Sequence, residues 1–374
     1  MNMKRQKNWT GLFLGTALVC LALVVGLTVS IDPYMHYRRP QLDKFRYEPK
    51  AEAERSINNG MLRHLDYDGL LVGTSMMENT KTSLADSLFG CQSIKTVSIG
   101  ASWWEISSLE ALALEHNPEL SLVVRGLDMT YFDEAPQALH YEIGPYPTYL
   151  YNDNPLDDVY YVLNRDVLYR NCLPMLLDAA EGVTPGLSNL DDYGAWKQEV
   201  YGPRAAMRRD APYADAVQEA LSDQRRERVL SNVREKVLSL AEANPDTVFY
   251  YFLTPYSAAW WGDLRQAGQL EAQLEMEELV IRSILPCGNI RLYSWNTVEE
   301  LTFDLANYKD RIHYGPWVND WMLEKMASGE GLLTADNVEE YLSRERELFE
   351  TFDYNTLFDQ PEPAQYGAPE FFRQ

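Results

Sequence analysis

Ser75, Asp310 and His313 have the types and the chain order needed for acyl transfer. Ser75 stands in Gly73-Thr74-Ser75-Met76-Met77-Glu78-Asn79, directly after the apolar run Gly69–Gly73, and Asp310-Arg311-Ile312-His313 lies far downstream. Serine is a poor nucleophile at neutral pH, so it needs a base within hydrogen-bond reach and a third group to fix that base's tautomer. His313 suits the first role and Asp310, one turn earlier, the second. The chain has five histidines. His36 follows the N-terminal apolar segment, His64 precedes the first apolar run, His116 ends a helical pattern and His140 falls in a Pro-rich stretch, so only His313 has this context. Acyl transfer also needs donors for a developing oxyanion. The amides of Ser75 and Gly100 are the candidates, because Gly100 follows the next apolar run and has no side chain in the way.

These residues need a scaffold that gathers them. Short apolar runs occur at 69–73, 95–100, 120–128, 247–255 and 290–295, bounded by turn residues and separated by helical patterns. Continuous apolar strands of this kind indicate a parallel sheet covered on both faces. Ligands collect at the carboxyl ends of such strands, where Ser75, Gly100 and Asp128 would all lie. Helices are expected over 102–116, with Ser102 and Glu105 spaced as a capping box, and over 217–243, 264–285, 316–326 and 337–352. The last carries a Glu-rich segment, 339–350, that reads as a solvated face. Trp103, Trp104, Trp317 and Trp321 read as core by their spacing, with an acyl pocket as the alternative for the first two. From about 131 to 215 the pattern breaks into a Tyr- and Pro-rich insertion. It could pack as an irregular cap or form a lid or subsite wall, since aromatic faces stack on sugar rings.

The N-terminus sets the compartment. Lys4, Arg5 and Lys7 precede an uncharged apolar stretch over 8–31, about 20 residues of which would span about 30 Å as a helix. By the positive-inside rule, residues 1–7 form a cytoplasmic tail and everything after the span lies outside the cell membrane. No small-x-small cleavage site follows, so an uncleaved signal anchor is expected rather than a signal peptide. Residues 32–62 read as a juxtamembrane collar, 63–353 as an α/β domain with the insertion, and 354–374 as a loosely ordered tail. Beyond the span, 30 basic residues face 56 acidic ones, an imbalance that repels phosphate backbones and argues against nucleic acid as a partner. Cys91, Cys172 and Cys287 lack the C-x-x-C spacing of zinc or redox sites and permit at most one disulfide. No His/Asp/Glu cluster has metal-ligand spacing, so neither metal nor cofactor is expected.

At Gly73-Thr74-Ser75, Gly100 and Asp310-x-x-His313 the sequence resembles the SGNH, or GDSL-like, hydrolase superfamily. The likeness covers about 61–326 apart from the insertion. It points to the membrane-anchored branch that includes the D-alanyl transfer protein of lipoteichoic acid synthesis and alginate O-acetylation proteins. The segments YDGLLVGTSMMENT and YPTYLYNDNPLDDVYYVLN also look like uncharacterised extracytoplasmic SGNH-like proteins of Gram-positive bacteria. The resemblance implies a three-layer, flavodoxin-like α/β fold with a five-stranded parallel sheet, and a catalytic Ser75, His313 and Asp310. Two positions depart from the family pattern. Thr74 replaces the usual Asp, and Asp128 stands where Asn normally donates to the oxyanion. An ionised Asp128 would repel that charge, at a cost of about 3 kcal/mol for one lost donor. Three outcomes follow: Asp128 is protonated; it points away and Asn79 or another group serves; or catalysis is weak.

The expected function is ester chemistry on acylated cell-envelope carbohydrates or polymers. With water as acceptor the protein is an esterase, and with a glycan hydroxyl an O-acyltransferase. The alternative is a non-catalytic protein of the same fold that binds glycan or a membrane-bound acyltransferase.

Overall fold

The computed structural model describes residues 3–373, and the side chains of Lys4, Arg5 and Lys7 lie outside the described residues. The chain divides into two compact units. One comprises residues 1–66 and 145–189, the other 67–144 and 190–374. The insertion expected over 131–215 is therefore split, its middle part packing with the N-terminal residues.

In the first unit, helix α1 (Met3–Ile31) is long and apolar enough from Trp9 to Ile31 to cross a membrane. It ends abruptly at Asp32, which takes up a left-handed φ of 50° and is buried. The Asp32 carboxylate accepts hydrogen bonds from the amides of His36, Tyr37 and Arg38 and from the Tyr161 hydroxyl. A carboxylate with that many donors fixes the chain direction at the end of α1. The collar then contains a second helix, α2 (Glu54–His64), and a two-residue parallel pairing of Arg46–Tyr47 with Gly186–Leu187.

The second unit holds a five-stranded, wholly parallel sheet: β1 (Gly69–Gly73), β2 (Ser93–Val97), β3 (Leu122–Leu127), β4 (Val248–Leu253) and β5 (Ile290–Tyr293). The spatial order is β2-β1-β3-β4-β5. Register is continuous across it, with Gly73 opposite Val97, Val72 opposite Arg125, Leu127 opposite Leu253 and Phe252 opposite Tyr293. All five apolar runs are strands: the one at 69–73 has the expected bounds, those at 120–128, 247–255 and 290–295 are shorter because turn residues leave the ladder early, and the run at 95–100 pairs only to Val97, its strand beginning at Ser93. Every residue of β1, β2 and β3 is buried. Leu70, Leu71, Val72, Val123 and Val124 have no exposure and stabilise the sheet at about 1.5–3 kcal/mol for each side chain. Arg125 is also fully buried, held by Glu110 at 2.8 Å and by the Ser107 hydroxyl and the Lys236 carbonyl. Without those partners its charge would be untenable there.

Helices α3 (Thr82–Phe89) and α4 (Trp103–His116) follow β1 and β2, and Ser102 and Glu105 form the expected capping box. Trp103 is core. The helix expected over 217–243 begins only at Asp223 (α5, Asp223–Val233), because the Ser222 hydroxyl caps it there; a π segment and a last turn carry it on to Ala243. The one expected over 264–285 is two, α6 (Ala258–Gln266) and α7 (Leu270–Ile284), interrupted at Gly268. Helices α8 (Pro316–Ser328) and α9 (Val338–Thr351) complete the unit. The Glu-rich face of α9 is not wholly solvated, since Glu345 is buried against Glu277, Asn296 and Tyr341. The tail is ordered at its start, where Tyr354 and Leu357 are buried and Gln360 bonds Phe303 and Leu305. All four cysteines are free thiols.

Candidate active site

At the carboxyl end of β1 the chain turns sharply into a short 3-10 helix, Ser75–Met77, with Thr74 as its cap. Gly73 is required for this turn, because a Cβ there would stand 2.4 Å from the Met77 side chain. Thr74 does two jobs: its Oγ1 accepts from the Met76 amide and donates to Asp128 at 2.9 Å. Ser75 is left half-buried at the carboxyl edge of the sheet.

His313 lies on the loop between β5 and α8. Tyr308 and Tyr314 bridge antiparallel, and the Lys309 amide donates to the His313 carbonyl, closing a tight loop around residues 309–313. Asp310 Oδ1 accepts from the amides of Ile312 and His313, so the carboxylate is locked before it meets the imidazole. His313 Nδ1 lies 2.9 and 2.8 Å from the two Asp310 oxygens, and Nε2 lies 2.7 Å from Ser75 Oγ. Burial pushes Asp310 up, but the His313 hydrogen bond and charge, with the two amides, outweigh it and hold the carboxyl at about 2. An ionised Asp310 can only accept, so Nδ1 carries the proton and Nε2 presents its lone pair to the Ser75 hydroxyl. The three residues singled out in the sequence therefore form one connected chain of hydrogen bonds.

The other expected residues divide. Gly100 lies in the loop after β2 with φ of 61°, a left-handed conformation that costs glycine nothing. Among the described residues, neither its amide nor that of Ser75 has a hydrogen-bond acceptor in the chain. Asp128 is buried, and both its oxygens are engaged, one by the Thr74 hydroxyl and one by the Tyr256 hydroxyl at 3.0 Å. Burial raises its pKa to about 6 against the lowering effect of those two bonds. It thus supports the nucleophile's turn from behind and offers no oxyanion donor. Asn79 is buried with its amide oxygen accepting from the Trp196 amide at 2.9 Å.

Four positioning groups escaped the sequence reading. Trp196, from the insertion, meets the His313 ring edge-on at 5.3 Å and donates its indole N–H to Glu78 at 2.7 Å. The Lys309 ammonium sits 3.5 Å above the same indole. Tyr314 and Asn319, next to and just after the base, both donate to the Met76 carbonyl at 3.2 and 2.9 Å. The Ser75 turn and the His313 loop are thereby pinned together twice. Tyr314 was findable as the neighbour of His313; Trp196 carried no signal beyond lying in an aromatic insertion. On the Gly100 side, His140 Nδ1 donates to the Gly100 carbonyl and Nε2 lies 2.7 Å from Glu134 Oε1.

Among the described residues, no group of three or more His, Cys, Asp or Glu side chains is placed to hold a metal ion. The arrangement can remove a proton from a serine hydroxyl and return it. Compared with known proteins, the chain matches no family model, no curated protein and no solved structure.

Proposed function

We propose that the chain is an SGNH-type serine esterase or O-acyltransferase, anchored by α1 and acting outside the cell membrane on acylated envelope carbohydrates or polymers. The observation that carries this reading is the 2.7 Å contact between Ser75 Oγ and His313 Nε2 with Asp310 behind the imidazole. A serine, histidine and carboxylate linked in this order make a nucleophile, its base and the base's orienter. The strand order β2-β1-β3-β4-β5 is that of flavodoxin-like doubly wound sheets, whose ligands sit at the carboxyl edge where Ser75 lies. Strands buried along their length favour a three-layer arrangement.

Ser75 Oγ attacks the ester carbonyl as His313 Nε2 takes its proton. The amides of Ser75 and Gly100 receive the oxyanion. His313 then protonates the departing alkoxide, leaving an acyl-serine. Water or a glycan hydroxyl gives its proton to His313 and attacks that ester, and His313 returns the proton to Ser75. Asp310 stays ionised throughout, which favours the imidazolium formed in each half-reaction. A membrane-crossing α1 supports a location beside envelope polymers, and the strongly acidic remainder of the chain suits a neutral glycan better than a polyanion.

A serine-directed fluorophosphonate tests this directly. The full chain should be labelled, Ser75→Ala should not, and an unlabelled wild type counts against catalysis. The buried carboxyl of Asp128 in place of a donor favours a second reading, a non-catalytic protein that binds glycan or a membrane acyltransferase. Full rescue of a deletion phenotype by Ser75→Ala would select it.

A further inference from the structure

Within the first unit, the residues that follow the span do not form a flexible tether. The last turns of α1 are covered, Thr28 and Ile31 being buried, by the helical segment over 159–172. That segment is locked to the end of the span. The Tyr161 hydroxyl donates to Asp32 and accepts from the Tyr34 amide, and His36 pairs with Asp158 at 3.2 Å. Tyr161 faces inward with no exposure, yet its neighbours Leu156, Val159, Tyr160 and Leu163 are exposed, Leu156 by 83% and Tyr160 by 66%. Val159 and Tyr160 lie on the single helical turn Val159–Val162, and Leu156 and Leu163 in the turns that bound it, so the four form an exposed apolar stripe along 156–163 of the chain. Tyr169 and Leu177, on the helical segments Leu168–Cys172 and Leu173–Glu181, are exposed as well.

Large apolar side chains exposed this closely along the chain are costly in water and mark a contact surface. Its occupant follows from where it is fixed. From Trp9 to about Leu23, α1 has no protein cover. A 23-residue span measures about 34 Å against a hydrocarbon core of about 30 Å, so a bilayer that takes in the bare part of α1 brings its covered last turns to the headgroup level. Tyrosine and aliphatic side chains are favoured there, because the ring body meets acyl chains while the hydroxyl stays wet. The charges around the stripe are of both signs, Asp153, Asp157 and Asp166 with Arg165 and Arg170. The contact is therefore apolar and needs no anionic lipid.

We infer that the stripe Leu156, Val159, Tyr160 and Leu163, together with Tyr169 and Leu177, lies in the interfacial zone of the bilayer that α1 crosses, so that the first unit rests on the membrane as well as being threaded through it. This inference rests on α1 being a membrane anchor, and Cys20, exposed in mid-span, separates the two. The test uses the full chain in phosphatidylcholine nanodiscs, carrying Leu156→Cys, Tyr160→Cys or, as a solvent reference, Val217→Cys at a side chain 92% exposed. Labelling by a water-soluble maleimide is followed peptide by peptide. Positions 156 and 160 should label at least about tenfold more slowly than 217, and a fluorophore at 156 should be quenched by lipid carrying a nitroxide near the headgroup. Labelling at 156 as fast as at 217, with Cys20 protected, overturns the docking and leaves the anchor standing. Labelling of Cys20 overturns both. Protection at 156 without nitroxide quenching assigns the stripe to a protein neighbour or a second copy, and also overturns it.

Discussion

Two histidine–carboxylate pairs flank the candidate site, and only one can do acid–base work. His313 and His140 each sit against a carboxylate, Asp310 at 2.8 Å and Glu134 at 2.7 Å. The difference lies in the second ring nitrogen. His313 aims Nε2 at a hydroxyl, which can lose a proton to it; His140 aims Nδ1 at the Gly100 carbonyl, which can only accept. His140 must therefore hold a proton on Nδ1, and its Nε2 shares another with Glu134, so neither nitrogen is available to a substrate. Proximity to a carboxylate does not make a histidine a base. What matters is whether its remaining nitrogen faces a group that gives up a proton.

The largest effects should fall on the His313 pair. Ser75→Ala should abolish ester turnover, a loss of about 10⁴-fold or more, while circular dichroism and melting stay near wild type. Asp310→Asn should cost about 10³ to 10⁴-fold in kcat, because a neutral amide no longer fixes the tautomer that presents a lone pair to Ser75. The same variant reports through stability. A carboxyl held at about 2 stabilises the fold above its unfolded value near 3.9 and loses that contribution as pH falls through about 2. The gap between wild type and Asp310→Asn in denaturant titrations should be full above about pH 4 and close near pH 2. A gap that does not move with pH would mean the carboxylate is not paired.

Trp196→Ala should come next. The indole pins the Ser75 turn and the His313 loop, so its removal should lower kcat by about 10- to 100-fold with KM little changed, as for misplaced but intact catalytic groups. Trp196→Phe keeps the ring edge against His313 but loses the bond to Glu78, and should recover part of the rate. If both variants match wild type, the two loops are aligned by Tyr314 and Asn319 alone.

How much of this was legible in the sequence follows from what each residue needs. Ser75, Asp310 and His313 were readable because their chemistry demands particular types near particular strand ends. The strands were readable because both faces are buried, which forces continuous apolar runs. Trp196 was not, since its partners Glu78, Asn79 and Lys309 are remote in sequence and it has no periodicity. The break in the helix expected over 264–285 was missed because Gly268 sits within an otherwise regular pattern, and its left-handed φ of 73° belongs to the turn. Asp128 was legible as a departure from a pattern, but not its two hydroxyl partners. The buried Glu345 shows the converse failure, since charge on a helix reads as solvent-facing unless its partners are known.

Asp128 sharpens the contrast between groups that react and groups that hold. Both its oxygens accept from hydroxyls, and Asn offers only one acceptor there. Asp128→Asn should therefore not accelerate turnover, although it supplies an amide donor, and should lower stability by about 1–3 kcal/mol as the Thr74 or Tyr256 hydroxyl loses its partner. A faster Asp128→Asn enzyme would show instead that the carboxylate's charge is what limits catalysis.

The smallest expected effect concerns the holding pair itself. Burial disfavours the His140 imidazolium, but the Gly100 carbonyl and the Glu134 carboxylate more than offset it, so its pKa is raised. A raised histidine contributes stability that is complete below its unfolded value near 6.5 and is lost as pH climbs through the folded value. His140→Gln can still donate to the Gly100 carbonyl but cannot carry the charge facing Glu134. It should be about 1 kcal/mol less stable than wild type at pH 6, with the gap shrinking as pH rises above the unfolded value. Because Gly100 is the residue being held, ester turnover by wild type should decline as His140 loses its proton, and that decline should be absent from His140→Gln. A pH-independent gap would reduce His140 to a neutral strut, and Gly100 would then be fixed by its left-handed backbone alone.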